Sequence, residues 1–414
     1  MNIGSIIYFH RIKNNLTQQQ LADGVCSISH LSKIENNSKE VNIETLLLLC
    51  EKLKIDLIEE KAEIKLIYEK LNELLNAIVY DNKLKVDELY EWIKENSHRI
   101  VCSQYVYFSK IILFRYYVFK EDIKSATLIK DNITRQQKKF SQYENSLFQY
   151  SSSLYYLLQR KPGMCIKILN RIENEIDILP TDYYYYLSQA YNLLNQSTLS
   201  MYYAQKANQI FIDTINYMKS LDAKLLIAIN LAKVKAFKQA YEYLEDVLNT
   251  SESLGNRHLL KKTFYNMSVL MYQQKRYEEA VDYFKKGLRY KKRLEVVYIQ
   301  YLPIITECYI QLNKPKKAKN IINKMIKLAE EENVTSDLIL FNIYLYELEK
   351  NEKGLIKYLE SYAIKILKDQ NQYELFMKYS RRLGRLYLRE NDYKKAFQYL
   401  ITENFSDNNQ ICTQ

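Results

Sequence analysis

Two groups of side chains in this sequence have types and spacings suited to gripping a partner, and none has those of a catalytic centre. The first group sits in the run LTQQQLADGVCSISHLSKIENN (16–37): Gln18, Ser29, His30, Ser32 and Lys33. A side-chain amide beside the free N–H groups of a helix start holds a phosphate oxygen. Ser and Lys on the first turns of the next helix reach base edges or phosphates, and His30 suits either. The second group is dispersed: Arg115, Tyr185, Gln189, Asn192, Asn230, Tyr265 and Asn266. An amide donates and accepts at once, so asparagine holds a peptide group without reading its side chain. His10, His30, His98 and His258 are scattered, and the six cysteines (26, 50, 102, 165, 308, 412) form no C-x-x-C. No H-E-x-x-H, nucleophile elbow or phosphate-cradling glycine loop occurs. The carboxylate runs Glu278–Glu279 and Glu330–Glu332 read as solvated helix faces. The expectation is a binding protein, not an enzyme, with no metal and no cofactor.

The elements that must position these residues are helices. Seven glycines and four prolines occur in 414 residues, against roughly 29 and 21 at average usage. Sandwiches, barrels and propellers need such residues at every corner. With 47% hydrophobic and 26% charged residues the chain has enough apolar surface for a packed core. The most apolar stretch, 105–119, is broken by Lys110 and Arg115, and the N-terminus lacks the apolar run of a signal peptide. Isolated cysteines fit a reducing compartment. A cytoplasmic protein with no membrane partner is expected. The net charge of +11 permits an anionic partner, although coding by an AT-rich genome also produces abundant Lys, Asn, Ile and Tyr.

In the first sixty residues, Ile3, Ile6, Ile7 and Ile12 mark one helix, and Thr17 with Gln20 forms a capping box for a second. Gly24 supplies the positive φ of a sharp reversal. Ser27 or Ser29 caps a third helix that buries Leu31 and Ile34. A fourth, from Asn42, is expected to bury Ile43, Leu46, Leu47, Cys50 and Leu53. Short helix, tight turn, short helix is helix-turn-helix geometry. With its L-T-Q start, L-A pair and closing S-K-I-E-N, residues 1–57 resemble the Xre-type (Cro/repressor-like) DNA-binding domain. The turn is shorter than in phage repressors, and Asn37 stands where many relatives have Gly. The resemblance implies a double-stranded DNA operator as partner. Residues 1–58 hold six Lys/Arg and six Asp/Glu, too balanced for strong binding by one copy, so a homodimer or higher homo-oligomer is expected.

From residue 58 onward the sequence repeats. Small residues recur at Ala126, Cys165, Ser200, Ala240, Ala280, Ala318 and Ala396, with Leu355 in register, at spacings of 35 to 41. Four residues after most markers comes a large apolar side chain, such as Leu169, Leu244, Phe284, Ile322 and Leu400. Nine before them stand Tyr117, Tyr156, Tyr191, Leu231, Met271, Tyr309, Tyr346 and Tyr387. Twelve before stand Phe114, Ser153, Ser188, Ala228, Ser268, Thr306, Ile343 and Gly384. This is the pattern of tetratricopeptide repeats, clearest in 272–284 and 382–400. The expected fold is all-α: the helix-turn-helix domain (1–57), a right-handed tetratricopeptide solenoid of about eight to nine helix pairs over 58–402, and a polar tail, 403–414. A degenerate first pair falls at 61–96, with Trp92 at the large position. In this register Arg115, Asp182, Tyr185, Gln189, Asn192, Lys262, Tyr265, Val269, Tyr272, Gln300, Glu307, Arg381 and Arg385 line the concave groove, with Asn230 and Asn266 beside that track. Amides and tyrosines in the middle with cations at the ends suit a linear oligopeptide with a free carboxylate.

An Xre-type head joined to a long tetratricopeptide array resembles the RRNPP family of quorum-sensing regulators. The resemblance implies a short signalling oligopeptide bound in the groove, controlling the DNA-binding heads. Residues 261–281 look like the family's peptide-clamping repeat, which assigns the clamp to Asn266 beside Tyr265; the alternative is that Asn266 merely caps local structure. A second possibility is the behaviour of the family's Rap-type members, which bind a response regulator under peptide control. A third is a regulator answering a protein or small ligand instead.

Overall fold

A computed structural model of the chain describes residues 3–36, 38, 42–173, 180–290, 296–331, 335–370 and 372–401. Among the described residues there are helices and turns and no strand. The chain forms two compact units, residues 1–243 and 244–414.

The first unit opens with four short helices: α1 (Ile3–Lys13), α2 (Gln18–Ala22), α3 (Ile28–Glu35) and α4 (Ile43–Leu53). The capping box forms as expected: Gln20 N–H donates to Thr17 Oγ1 (3.2 Å) and Thr17 N–H to Gln20 Oε1 (2.8 Å). Gly24 takes φ 67° at the reversal, and Ser27 caps α3. Ile6, Ile7, Leu21, Leu31, Ile34, Leu49, Cys50 and Leu53 form this domain's core. The α4 stripe differs from the expectation, because Ile43 and Leu47 are exposed and Leu49 is buried. The unbroken Leu46–Leu49 run fits two helical faces equally well, so local periodicity does not choose between them.

There follow α5 (Leu57–Val79), α6 (Lys83–Glu95), α7 (Ser97–Val101), α8 (Val106–Phe119), α9 (Ile123–Thr134), α10 (Gln142–Leu158), α11 (Pro162–Glu173), α12 (Tyr183–Leu193), α13 (Ser197–Asp213), α14 (Tyr217–Lys233) and α15 (Phe237–Ser253), which reaches into the second unit. The second unit holds α16 (Arg257–Gln273), α17 (Tyr277–Leu288), α18 (Val296–Gln311), α19 (Pro315–Glu331) and α20 (Thr335–Leu348). Then α21 (Glu352–Tyr358) passes through one π turn (Leu359–Ala363) into α22 (Ile364–Asp369), before α23 (Tyr373–Arg389) and α24 (Tyr393–Leu400). The tail 403–414 lies outside the described residues.

The recurring columns each have a structural role. All eight markers are buried. Residues twelve positions apart touch: Ser188 Oγ donates to Ser200 O and Ser268 Oγ to Ala280 O, both at 2.7 Å. A Cβ on Gly384 would come within 3.2 Å of Ala396 O. Small residues here let paired helices close up.

A further column lies five before each marker: Glu121, Arg160, Asn195, Lys235, Lys275, Asn313, Lys350 and Asn391 all take positive φ, between 53° and 64°. The next residue's N–H then reaches back to the carbonyl nine before the marker. Examples are Asp122 to Tyr117 (3.0 Å), Arg276 to Met271 (2.9 Å) and Asp392 to Tyr387 (3.0 Å). This is the Schellman closure of a helix C-terminus, usually made by glycine. Here it is made eight times without one, which is how so glycine-poor a chain turns so often.

Candidate functional site

In the head, the second helix of the motif presents Ser29 and Lys33 to solvent, one turn apart, with His30 and Ser32 half-exposed beside them. Leu31 and Ile34 face the core, so helical periodicity alone puts the polar set on the open face. Ser29 Oγ lies 3.2 Å from Ser27 Oγ. Gln18 is half-exposed, and its Nε2 donates to Glu35 Oε2 at 2.8 Å. Glu35 is the hub of this domain: Arg11 donates to it through Nε (2.6 Å) and Nη2 (3.0 Å), and through Nη1 to Leu16 O (2.8 Å). This bidentate pair, nearly buried, locks α1 to α3 and orients Gln18. Nothing in the local pattern signals it, because its partners are 24 residues apart.

In the first unit the repeat candidates divide into two sets. Arg115 on α8 is 2% exposed, with Nη2 3.4 Å from Asp182 Oδ2 and 3.5 Å from Tyr186 OH. Its guanidinium also stands 5.9 Å from the Tyr150 ring centre and 5.7 Å from that of Tyr186. Tyr150 OH donates to Asp182 Oδ1 at 2.5 Å. Burial lowers the Arg115 pKa, but the surrounding Tyr186 and Asp182 outweigh it and hold the group above its usual value. Burial also drives the Tyr150 phenol well up, helped by the Asp182 charge. Tyr185 is 8% exposed, hydrogen-bonded to Gln189, with Lys219 Nζ 5.4 Å from its ring centre. Helices α8, α10, α12 and α14 thus bring Arg115, Tyr150, Asp182, Tyr185, Tyr186, Gln189 and Lys219 into one polar network. Tyr150 lies in the spacing register of the groove track, 15 residues before the marker at 165, as does Asp222, 18 before the marker at 240, whose charge acts on Tyr185 and Lys219. The same rule would have found them.

Asn192 and Asn230 are employed differently. Asn192 Oδ1 accepts from Lys233 Nζ at 2.7 Å near the end of α12. Asn230 is fully buried; its Nδ2 donates to Ser200 Oγ (2.8 Å) and Leu226 O (2.9 Å). It ties α14 to the marker on α13 rather than lining an open face.

In the second unit Asn266 is half-exposed on α16, on the same face as Lys262 and Val269, and its Nδ2 donates to Lys262 O at 3.0 Å. Tyr265 points the other way. It is 1% exposed, packed against Phe284 and Tyr301, with ring centres 5.5 and 4.8 Å away. A Cβ on Gly287 would meet its Cε1 at 2.5 Å. Adjacent helical residues differ by about 100° in direction, so Asn266 and Tyr265 cannot share one open face. The Gln300 side chain lies outside the described residues. Among the described residues no group of three His, Cys, Asp or Glu could hold a metal ion, and no helix is long and apolar enough to cross a membrane.

Comparison with known proteins agrees with this layout. Residues 7–59 match the helix-turn-helix family and 220–293 the tetratricopeptide-repeat family. The chain is 23% identical over 393 residues to the transcriptional activator NprA of Geobacillus stearothermophilus, covering 92% of this chain and 97% of that one. It is 22% identical over 351 residues to the regulatory protein RapK of Bacillus subtilis (strain 168), covering 83% and 88%. Among solved structures it is similar to NprR in complex with its cognate peptide NprX, with a TM-score of 0.63 at 23% identity over 79% of this chain and 98% of that one. In the order of its domains, and nearly end to end, the chain is similar to these regulators.

Proposed function

We propose that this chain is a cytoplasmic quorum-sensing transcriptional regulator, whose helix-turn-helix head binds an operator under the control of a short oligopeptide held by the repeats. The observation that carries the reading is the near-complete overlap with a transcriptional activator, 92% of this chain and 97% of that one, together with a head that presents Ser29, His30, Ser32 and Lys33. The protein acts by binding, not catalysis. Homo-oligomerisation supplies the second head that a charge-balanced domain needs.

Asn266 holds the peptide backbone with its half-exposed amide; the half-exposed Tyr186 and Gln189 of the Arg115 network receive a polar group of the ligand. The test is titration of synthetic peptides of roughly five to ten residues, taken from any short secreted-peptide gene directly downstream, into wild type and Asn266→Ala. Leaving a bound peptide group unpaired costs about 1–3 kcal/mol, or roughly 5- to 150-fold in affinity. Equal affinities remove Asn266 from the site, and no binding by wild type removes the sensor reading.

The similarity to RapK favours one alternative, a Rap-type protein that sequesters a response regulator. A response regulator retained by the full chain, and released by peptide, would support it.

A further inference from the structure

The head has no excess of cations, yet the chain carries a net charge of +11. The excess is in the repeats, and six of its lysines fall on or just before one helix. Residues 308–329 contain six lysines (314, 316, 317, 319, 324 and 327) and no aspartate or glutamate. In α19 the inner face is Ala318, Ile322, Met325 and Ala329, all buried. The lysines stand on the exposed faces with Asn320 and Asn323 between them. Lys319 is tied to Glu349 at 2.6 Å. Lys316, Lys317 and Lys324 have no carboxylate within ion-pair distance among the described residues. Lys316 and Lys317 also occupy the first turn, where the helix dipole disfavours cations. The helix tolerates a like-charged row that neither its fold nor its dipole rewards.

We propose that the lysine face of α19 is a second, sequence-independent contact for the phosphate backbone of double-stranded DNA. Lys316 to Lys324 spans about 12 Å of helix rise, and a duplex carries a charge every ~1.7 Å of its axis, so several lysines meet phosphates at once. Lysine and asparagine have the chemistry for such a contact, because a mobile ammonium and a neutral amide bond to phosphate oxygens without selecting a base. Backbone contacts of this kind supply non-specific affinity and set the salt dependence. The inference rests on the DNA-binding reading of the head, which supplies the sequence preference that α19 lacks.

The experiment measures binding of the full-length protein to a duplex of arbitrary sequence and to its operator across a salt series. The proteins are wild type, the triple variant K316Q/K317Q/K324Q, and K33Q in the head, each checked for an unchanged thermal transition. Loss of two to three phosphate contacts makes log K against log [salt] less steep by about two to three on both duplexes. The triple variant keeps its preference for the operator, whereas K33Q reduces affinity through the head alone. Slopes identical to wild type in the triple variant overturn the proposal and leave the head reading intact; a lysine face built for an acidic protein gives that result. Wild type that binds neither duplex overturns both.

Discussion

Glu60 Oε1 lies 2.8 Å from His10 Nε2, joining the first helix of the head to the first helix of the repeats. The same oxygen accepts from Arg99 Nη2 at 2.7 Å, and Glu63 takes Arg99 Nη1 at 3.2 Å. Glu60 is 5% exposed, and Tyr105 packs against the cores on both sides of this junction. The head therefore does not hang on a bare linker. Glu60→Ala should remove the acceptor that His10 and Arg99 share, at about 1–3 kcal/mol, although Arg99 keeps Glu63. Hydrogen exchange should show faster opening in α1 and α7, with the Arg11–Glu35 pair keeping the head folded. Unchanged protection in both would mean that Tyr105 packing alone fixes the junction.

Lys33→Ala should weaken operator binding and reduce its salt slope by about one if the contact is to phosphate. Gln18→Ala should cost more than lost DNA affinity, because Gln18 also braces Glu35. A lower melting temperature for Gln18→Ala and none for Lys33→Ala would separate the two roles. Operator half-sites should be about 10 bp or a multiple apart if two heads bind one face, and footprinting of a single half-site at full affinity would remove the dimer.

Ile215 takes φ 57° and is 69% exposed. A β-branched residue in the left-handed region bears about 1–2 kcal/mol of strain, and this one has little packing to lose. Ile215→Asn should raise the unfolding free energy by about 1 kcal/mol, read from chemical denaturation. A lower stability would show that the exposed isoleucine makes contacts worth more than the strain.

Gly384→Ala should do the reverse. The new methyl would meet Leu400 Cγ at 2.7 Å and Ala396 O at 3.2 Å, and overpacking of this kind costs about 1–3 kcal/mol. Because repeat stability couples to nearest neighbours, the damage should centre on α23 and α24.

Glu360, in the π turn, links α21–α22 to the last pair. Lys395 Nζ donates to it at 3.2 Å and Tyr399 OH at 3.4 Å. Burial pushes its carboxyl up, but hydrogen bonds from Tyr387, Lys395 and Tyr399 outweigh this and hold it below its ordinary 4.5. A depressed folded-state value means its contribution is complete above about pH 4.5 and fades as pH falls through the lower value. Glu360→Gln should flatten the acid side of the C-terminal unfolding profile. An acid limb identical to wild type would show that other carboxylates govern it.

The helix-turn-helix and the repeat register were legible because both are written in local spacing: a capping box with its ends three residues apart, small residues twelve apart. Two kinds of side-chain placement escaped, and so did the turns. Polar partners such as Arg11 with Glu35 and His10 with Glu60 are 24 and 50 residues apart, and no periodicity reports them. Facing was the other: Leu46–Leu49 fits two stripes, and Tyr265 beside Asn266 lies one residue off the open face. The turns escaped for a third reason, since the positive-φ column is filled by Lys, Asn, Arg and Glu, residues that do not advertise it.

Those turns have a mechanical consequence. A joint made of one left-handed residue, clamped by a backbone bond that reaches five residues back, is a stiff corner with no spare torsion. Eight such corners behave as rigid brackets, and the compliant parts are the faces where helices slide on their small-residue seams. Any curvature that a ligand imposes must accumulate as slight shear across many seams, so a bound peptide would be felt everywhere a little and nowhere as a hinge.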